Sequence, residues 1–150
     1  MKDFRLSAAG VILHQEKVLL VRYKGQNGGT FLVGPGGGVQ IEEDLHAGLK
    51  REVLEETGLH VNPGKMLVVE DLLASKYRVI KVWFLCSVVG GELAKTEEAR
   101  IEGIIDVGWY DKKQLANKTV YPEILQNFDW AEFSSNNFET KYLTMKKANF

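Results

Sequence analysis

Residues Gly37 to Leu59 read GGVQIEEDLHAGLKREVLEETGL, and this stretch decides the fold. From about Asp44 to Thr57 it consists of helix formers with apolar residues at Leu45, Leu49 and Val53, a period that predicts a helix. Gly58 is a natural stop for it. The stretch also carries six carboxylates, Glu42, Glu43, Asp44, Glu52, Glu55 and Glu56. At roughly 100° per residue, Glu55 and Glu56 fall about 60° and about 40° to either side of Glu52, so the three share one face. Gly48, one turn before Glu52, is expected to leave open space on that face. Leu45, Leu49 and Val53 border it and point toward a core. Acids set beside a core rather than on the solvated side predict a cleft, with their repulsion relieved by a divalent cation. Ligands that are all oxygen point to magnesium or manganese.

Toward the amino terminus, Gly34-Pro35-Gly36-Gly37-Gly38 predicts a tight turn where backbone groups can approach a phosphate or hydrated metal without side-chain obstruction. It is not a P-loop, because no Gly-Lys-Ser or Gly-Lys-Thr follows. Residues 6–13 and 18–22 are apolar runs flanking His14-Gln15-Glu16-Lys17 and predict a β-hairpin; a loop at 24–29 and a short strand Thr30 to Val33 follow. Toward the carboxyl terminus, Lys65 to Leu73 and Tyr77 to Val89 are β-like, the second apolar at both phases as in a strand buried on both faces. Gly90-Gly91 predicts a turn and Ile101 to Tyr110 another strand. A short helix from Asp111 through Leu115 and a helical turn over Pro122 to Gln126 complete the pattern. Elements of both kinds interleave without repeats or a linker, which predicts an α/β chain with a mixed central sheet and helices on its faces.

The chain has 150 residues, 45% hydrophobic and 26% charged, which suits one domain over 1–150 with an aromatic-rich segment from about 127. A net charge of -1 provides no global field to recruit extended nucleic acid or an anionic membrane, so a polyanion must be held by local groups or metal. No apolar signal segment follows Met1-Lys2-Asp3, and no apolar run spans a bilayer; a soluble, cytoplasmic protein is the expectation. The single cysteine, Cys86, sits in an apolar run and is expected to pack in the core.

An acidic helix alone, or a glycine turn alone, would be a weak signal; together they carry a pattern. Gly37, five residues, Glu43, seven residues, then Arg51-Glu52-Val53-Leu54-Glu55-Glu56-Thr57-Gly58-Leu59 resembles the complete Nudix box, with every fixed position matched. The order of elements around it is similar to the family's α/β/α sandwich. The resemblance implies that Glu52, Glu55 and Glu56, with the Gly37 carbonyl, bind magnesium. It implies that Arg51 orients the acids, that Glu43 anchors the loop to the helix, and that Gly36, Gly37 and Gly38 line the substrate. The implied reaction is attack of water on phosphorus in a nucleoside diphosphate derivative, giving a nucleoside monophosphate and the phosphorylated remainder. The general base stays open among Glu55, Glu52 and a later acid, Glu97, Glu98 or Glu102. A nucleoside triphosphate or small nucleotide derivative is mildly favoured, with ADP-ribose or another nucleotide sugar as the alternative. The competing reading is a sensing module that binds nucleotides without turnover, against which the intact acids argue. Gly34 and Gly48 stand where the family often has larger residues.

Arg22 is the first choice for a phosphate contact, ahead of Lys24, Arg78 and Lys81. His14, His46 and His60 lack ligand spacing. Trp83 and Trp109 are expected in the core. Phe128, Trp130, Phe133, Phe138, Tyr142 and Phe150 are too many aromatics for a disordered tail, and are expected to complete the core or form a homodimer contact; Tyr121 or one of them stacking on a base is the sharper alternative.

Overall fold

The computed structural model describes residues 3–148. The apolar run Ala8 to Ile12 lies at its centre because strand β1 (Asp3–His14) is covered on both faces and flanked on both edges. On one edge β1 runs parallel to β6 (Tyr77–Gly91), from Asp3 opposite Tyr77 to Ile12 opposite Cys86. On the other edge it pairs first with the short β4 (Gly36–Gly38), then turns at Gln15 and Glu16 into β2 (Lys17–Lys24). Both turn residues take positive φ, 51° and 64°, which matches the twist of a two-residue hairpin. β2 carries β3 (Thr30–Val33) and β7 (Ile104–Tyr110), β3 carries β8 (Val120–Tyr121), and β5 (Leu59–Leu73) joins β6 to the edge strand β9 (Lys141–Lys147). The sheet is mixed and curled, in the order β8-β3-β2-β1-β6-β5-β9 with β4 and β7 branching from it.

Helix α1 (Leu45–Thr57) covers one face. Its start is fixed by Asp44, whose side chain accepts from the Ala47 N–H at 2.8 Å, and its end by Gly58 at φ 80°, whose N–H donates to the Leu54 carbonyl. Leu49 and Val53, wholly buried, pack against Ala8, Ile12, Val82 and Phe84; burial of each contributes about 1.5–3 kcal/mol. Cys86 belongs to this layer, where burial pushes its thiol up to about 12. The opposite face presents Ala9, Val11, Leu20 and Trp83, and the carboxyl-terminal segment closes over it. Helix α3 (Ile124–Asn127) and a 3₁₀ turn over Trp130–Ser134 supply Leu125, Trp130 and Phe133, and Phe138 meets Phe133 edge to face at 5.3 Å. Helix α2 (Glu97–Ile101) docks near the end of α1.

Several expectations are corrected. The glycines at 36–38 form a strand on β1 rather than only a turn. β5 begins at Leu59, right after the Gly58 cap of the helix, and Gly90-Gly91 are the last paired residues of β6, opposite His60 and Leu59, rather than a turn. The stretch before Ile104 is helical, not strand. Trp109 is half-buried beside the His14 ring, while Trp83 is fully buried. In the tail, Trp130, Phe133 and Phe138 join the core, Tyr142 is exposed on β9, and Phe150 lies outside the described residues. Among the described residues no helix is long and apolar enough to cross a membrane.

Candidate functional site

The carboxylate face of α1 meets strand β4 edge-on, and the fit requires glycine. A Cβ at Gly37 would lie 2.6 Å from Cδ of Glu52, so the missing side chain is what lets this carboxylate settle against the strand. One helical turn on, Glu56 is fully buried, and its two oxygens accept from the Gly36 N–H at 3.3 and 3.4 Å. Gly48 does not open space as expected: a Cβ there would meet Glu43 Oε1 and Val39 at 3.1 Å, because the loop before the helix folds back over it.

Arg51 ties these parts together. Its Nε and Nη2 donate to the two oxygens of Glu43 at 3.1 and 2.6 Å. Nη2 also donates to the Gly38 carbonyl at 3.0 Å, and Nη1 reaches Glu52 at 3.1 Å and Glu55 at 3.4 Å. Glu43 in turn accepts from the Gln40 N–H at 2.8 Å, which pins the loop to the helix. Hydrogen bonds from Arg51 hold the Glu43 carboxyl below the usual carboxylate range, and the same partnership raises Arg51.

The fourth acid comes from outside the helix. Thr96 caps α2 by accepting from the Ala99 N–H, and its hydroxyl donates to the Glu55 carbonyl, so α2 is fastened to the end of α1. Glu102, at the end of α2, is thereby delivered to the helix face: oxygens of Glu52, Glu55 and Glu102 all lie within 4.8 Å of one another. Of the three later acids considered from sequence, Glu102 is the one brought to the cluster; Glu97 pairs with Arg100 at 3.0 Å.

Crowding leaves its mark on the electrostatics. Burial pushes Glu56 up to about 9, with Glu102 and Glu52 adding to the rise. Burial and then Glu102 raise Glu52, and burial and then Glu55 raise Glu102. Tyr23 of β2, which the sequence reading passed over, sits beside them: burial first, then Glu56, Glu102 and Glu52, hold its hydroxyl far above the ordinary tyrosine range. Its ring stacks on Phe31 at 5.6 Å, and Phe31 meets Tyr121 edge-on at 6.0 Å. Arg22 donates to the Tyr110 hydroxyl at 3.0 Å, and Arg78 is held by Asp71 through two bonds of 2.9 and 2.8 Å. The donor set fits a hard divalent cation: it is all oxygen, its charges repel one another, and at least three oxygens converge within coordination reach.

A family model described as NUDIX domain matches residues 4–131 of this sequence. The chain belongs to the Nudix family. Among curated Nudix relatives, the ADP-ribose pyrophosphatase of Methanocaldococcus jannaschii is 31% identical over 134 residues, covering 84% of this chain and 79% of its own. The human 8-oxo-dGDP phosphatase NUDT18 is 34% identical over 102 residues, 67% of this chain; that match spans only 30% of the human protein's length. Among solved structures, a MutT NUDIX hydrolase from Burkholderia pseudomallei superposes with a TM-score of 0.69 at 22% identity, covering 84% of this chain and 98% of that one. An ADP-ribose pyrophosphatase from Streptococcus suis 89-1591 gives 0.63 at 24% identity, with coverages of 93% and 98%. The mixed curled sheet with α1 on one face is the fold these structures share.

Proposed function

We propose that this protein is a Nudix pyrophosphohydrolase that cleaves the diphosphate linkage of a nucleoside diphosphate derivative, releasing a nucleoside monophosphate and the phosphorylated remainder. The observation that carries the reading is the convergence of Glu52, Glu55 and Glu102 within 4.8 Å beside the Gly36–Gly38 strand, with buried Glu56 behind them. Glu52, Glu55 and Glu56 would hold a magnesium ion, manganese being an acceptable substitute, with the Gly37 backbone alongside. The chemistry supplied by such an ion when bound is neutralisation of charge on the diphosphate and acidification of water.

The chain's own groups divide the remaining tasks. Arg51 positions Glu52 and Glu55 by hydrogen bonds and keeps the loop of Glu43 against the helix. The Gly36 N–H orients Glu56. Glu102 takes the proton of the attacking water: it stands in the cluster without a hydrogen bond from Arg51, and it is the most exposed of the three converging acids. Tyr23 flanks the acids from β2, its ring stacked on Phe31. Names of the relatives, an ADP-ribose pyrophosphatase and an 8-oxo-dGDP phosphatase, favour a small nucleoside diphosphate derivative or ADP-ribose over a nucleoside triphosphate.

The test is product release from ADP-ribose, 8-oxo-dGDP, nucleoside triphosphates and dinucleoside polyphosphates, with magnesium, with manganese and with chelator. Metal-dependent turnover of one panel member, lost in Glu56→Gln, is the expected result. Binding without turnover across the panel would replace the hydrolase with a sensing module.

A further inference from the structure

Lys81 lies in β6, the strand between β1 and β5, opposite Ser7 on one side and Glu70 on the other. Its stem is half-buried in mid-sheet while its ammonium reaches solvent, since among the described residues no buried side-chain nitrogen lacks a hydrogen-bond partner. Among the described residues no carboxylate oxygen lies within 4.0 Å of Nζ, and no side chain or carbonyl accepts a hydrogen bond from it. Its cross-strand neighbour Glu70 is spent elsewhere, accepting from Trp83 Nε1 at 2.6 Å.

What holds Lys81 is the ring beneath it, with Nζ 4.5 Å from the Trp83 ring centroid. That indole is fixed at both ends. One edge is bound to Glu70, and the other abuts Gly34, where even a Cβ would come within 2.6 Å of it. Gly34 opens the turn whose next strand presents the Gly36 N–H to Glu56, so the ammonium shares the neighbourhood of the catalytic acids. Glu70 and Glu56 both act on its charge, partly offsetting the burial that lowers its pKa. The acids would repel an incoming diphosphate, Arg51 is engaged by Glu43, and Arg78 by Asp71. A cation with three unused donors on a rigid base is what a phosphate needs there.

We infer that Lys81 is a phosphate-binding residue of the substrate cleft, its ammonium donating from above Trp83 to a non-bridging oxygen of the diphosphate. The inference rests on the diphosphate substrate proposed above and names the protein group that recognises it. A purely structural lysine, present only to balance Glu56 and Glu70, predicts no dependence of phosphate affinity on this side chain.

The experiment is calorimetric titration of ADP and of adenosine into the parent, Lys81→Met and Lys81→Arg, all in chelator, with circular dichroism to verify folding. Methionine keeps the alkyl stem on Trp83 and removes the charge. Lys81→Met should bind ADP about 10- to 100-fold more weakly, as expected for a charge-assisted hydrogen bond. Adenosine affinity should be unchanged, and Lys81→Arg should recover most of the loss. ADP that fails to bind the parent, or binds Lys81→Met within twofold of the parent, overturns the inference. Should Lys81→Met not fold, amine modification of the parent mapped by mass spectrometry decides: ADP protects Lys81 if the inference holds, and an unaltered labelling rate overturns it. Intact metal-dependent hydrolysis with unaltered ADP affinity in Lys81→Met rejects the lysine and spares the hydrolase. Lysine-dependent ADP binding in a protein that turns over nothing rejects the hydrolase and spares the lysine.

Discussion

Gly34→Ala should be damaging although it adds only a single methyl group, and that group stands beside the site rather than in it. A Cβ at this position would stand 2.5 Å from the Gly10 carbonyl and 2.6 Å from the Trp83 ring, about 0.9 and about 0.8 Å short of ordinary contact. Neither neighbour can retreat. Gly10 is central in β1, and Trp83 is fully buried with its Nε1 bound to Glu70. Nor can the turn lift away freely, because Gly34 N–H donates to the Tyr121 carbonyl at 3.0 Å and Gly10 N–H to the Pro35 carbonyl at 2.9 Å. Overpacking costs about 1–3 kcal/mol, and a strained backbone hydrogen bond adds about 1 kcal/mol. The sum, about 2–4 kcal/mol, lowers the melting temperature of a chain this size by about 5–15 °C. Displacement of the turn also draws Gly36 away from Glu56, so turnover should fall with stability. Gly38→Ala is the matched control, since nothing lies within 4 Å of a Cβ there. Thermal melts of the two variants decide: a Gly34→Ala protein that melts with Gly38→Ala refutes this account of the turn.

Arg51→Lys should cost about 100-fold in turnover, the scale of a small misplacement of catalytic groups, because a point charge cannot hold Glu43 in a fork and still reach Glu52 and Glu55. A steady-state rate equal to the parent's would show that the fork is dispensable. At the far side of the sheet, Arg78 holds the Asp71 carboxyl below the ordinary aspartate range. A depressed carboxylate stabilises the fold above its unfolded value, about 3.9, and that contribution is lost as pH falls through the lower folded value. Melting temperature measured from pH 7 down to about 2.5 should therefore drop more steeply for the parent than for Asp71→Asn; superimposable profiles would contradict the pairing.

The parts of the fold legible in the sequence were those whose cause is local. Helix α1 could be read because its period, its start at Asp44 and its stop at Gly58 lie within one continuous stretch. Strand β6 was legible from apolar residues at both alternating phases of its run. What escaped the reading depends on pairing across the chain. β9 is polar and lysine-rich, as suits an exposed edge, and becomes a strand only because β5 offers it an open side. β4 is three glycines, with no side chains to show a pattern, and is a strand because β1 has a vacant edge there. The site divides in the same way. Glu52, Glu55 and Glu56 share a helix face by arithmetic alone, whereas Glu102 was one of three equivalent acids until Thr96 fastened α2 to α1. Lys81 was one of four candidate cations, and what marks it out is contacts made across the fold: Glu70 taken by Trp83, Arg78 taken by Asp71, Arg22 bound to the Tyr110 hydroxyl, and Gly34 left without a side chain so that the indole fits. The glycine that departs from the family's usual residue is thus explained by the tryptophan it accommodates, and that tryptophan is the support on which the proposed phosphate contact stands.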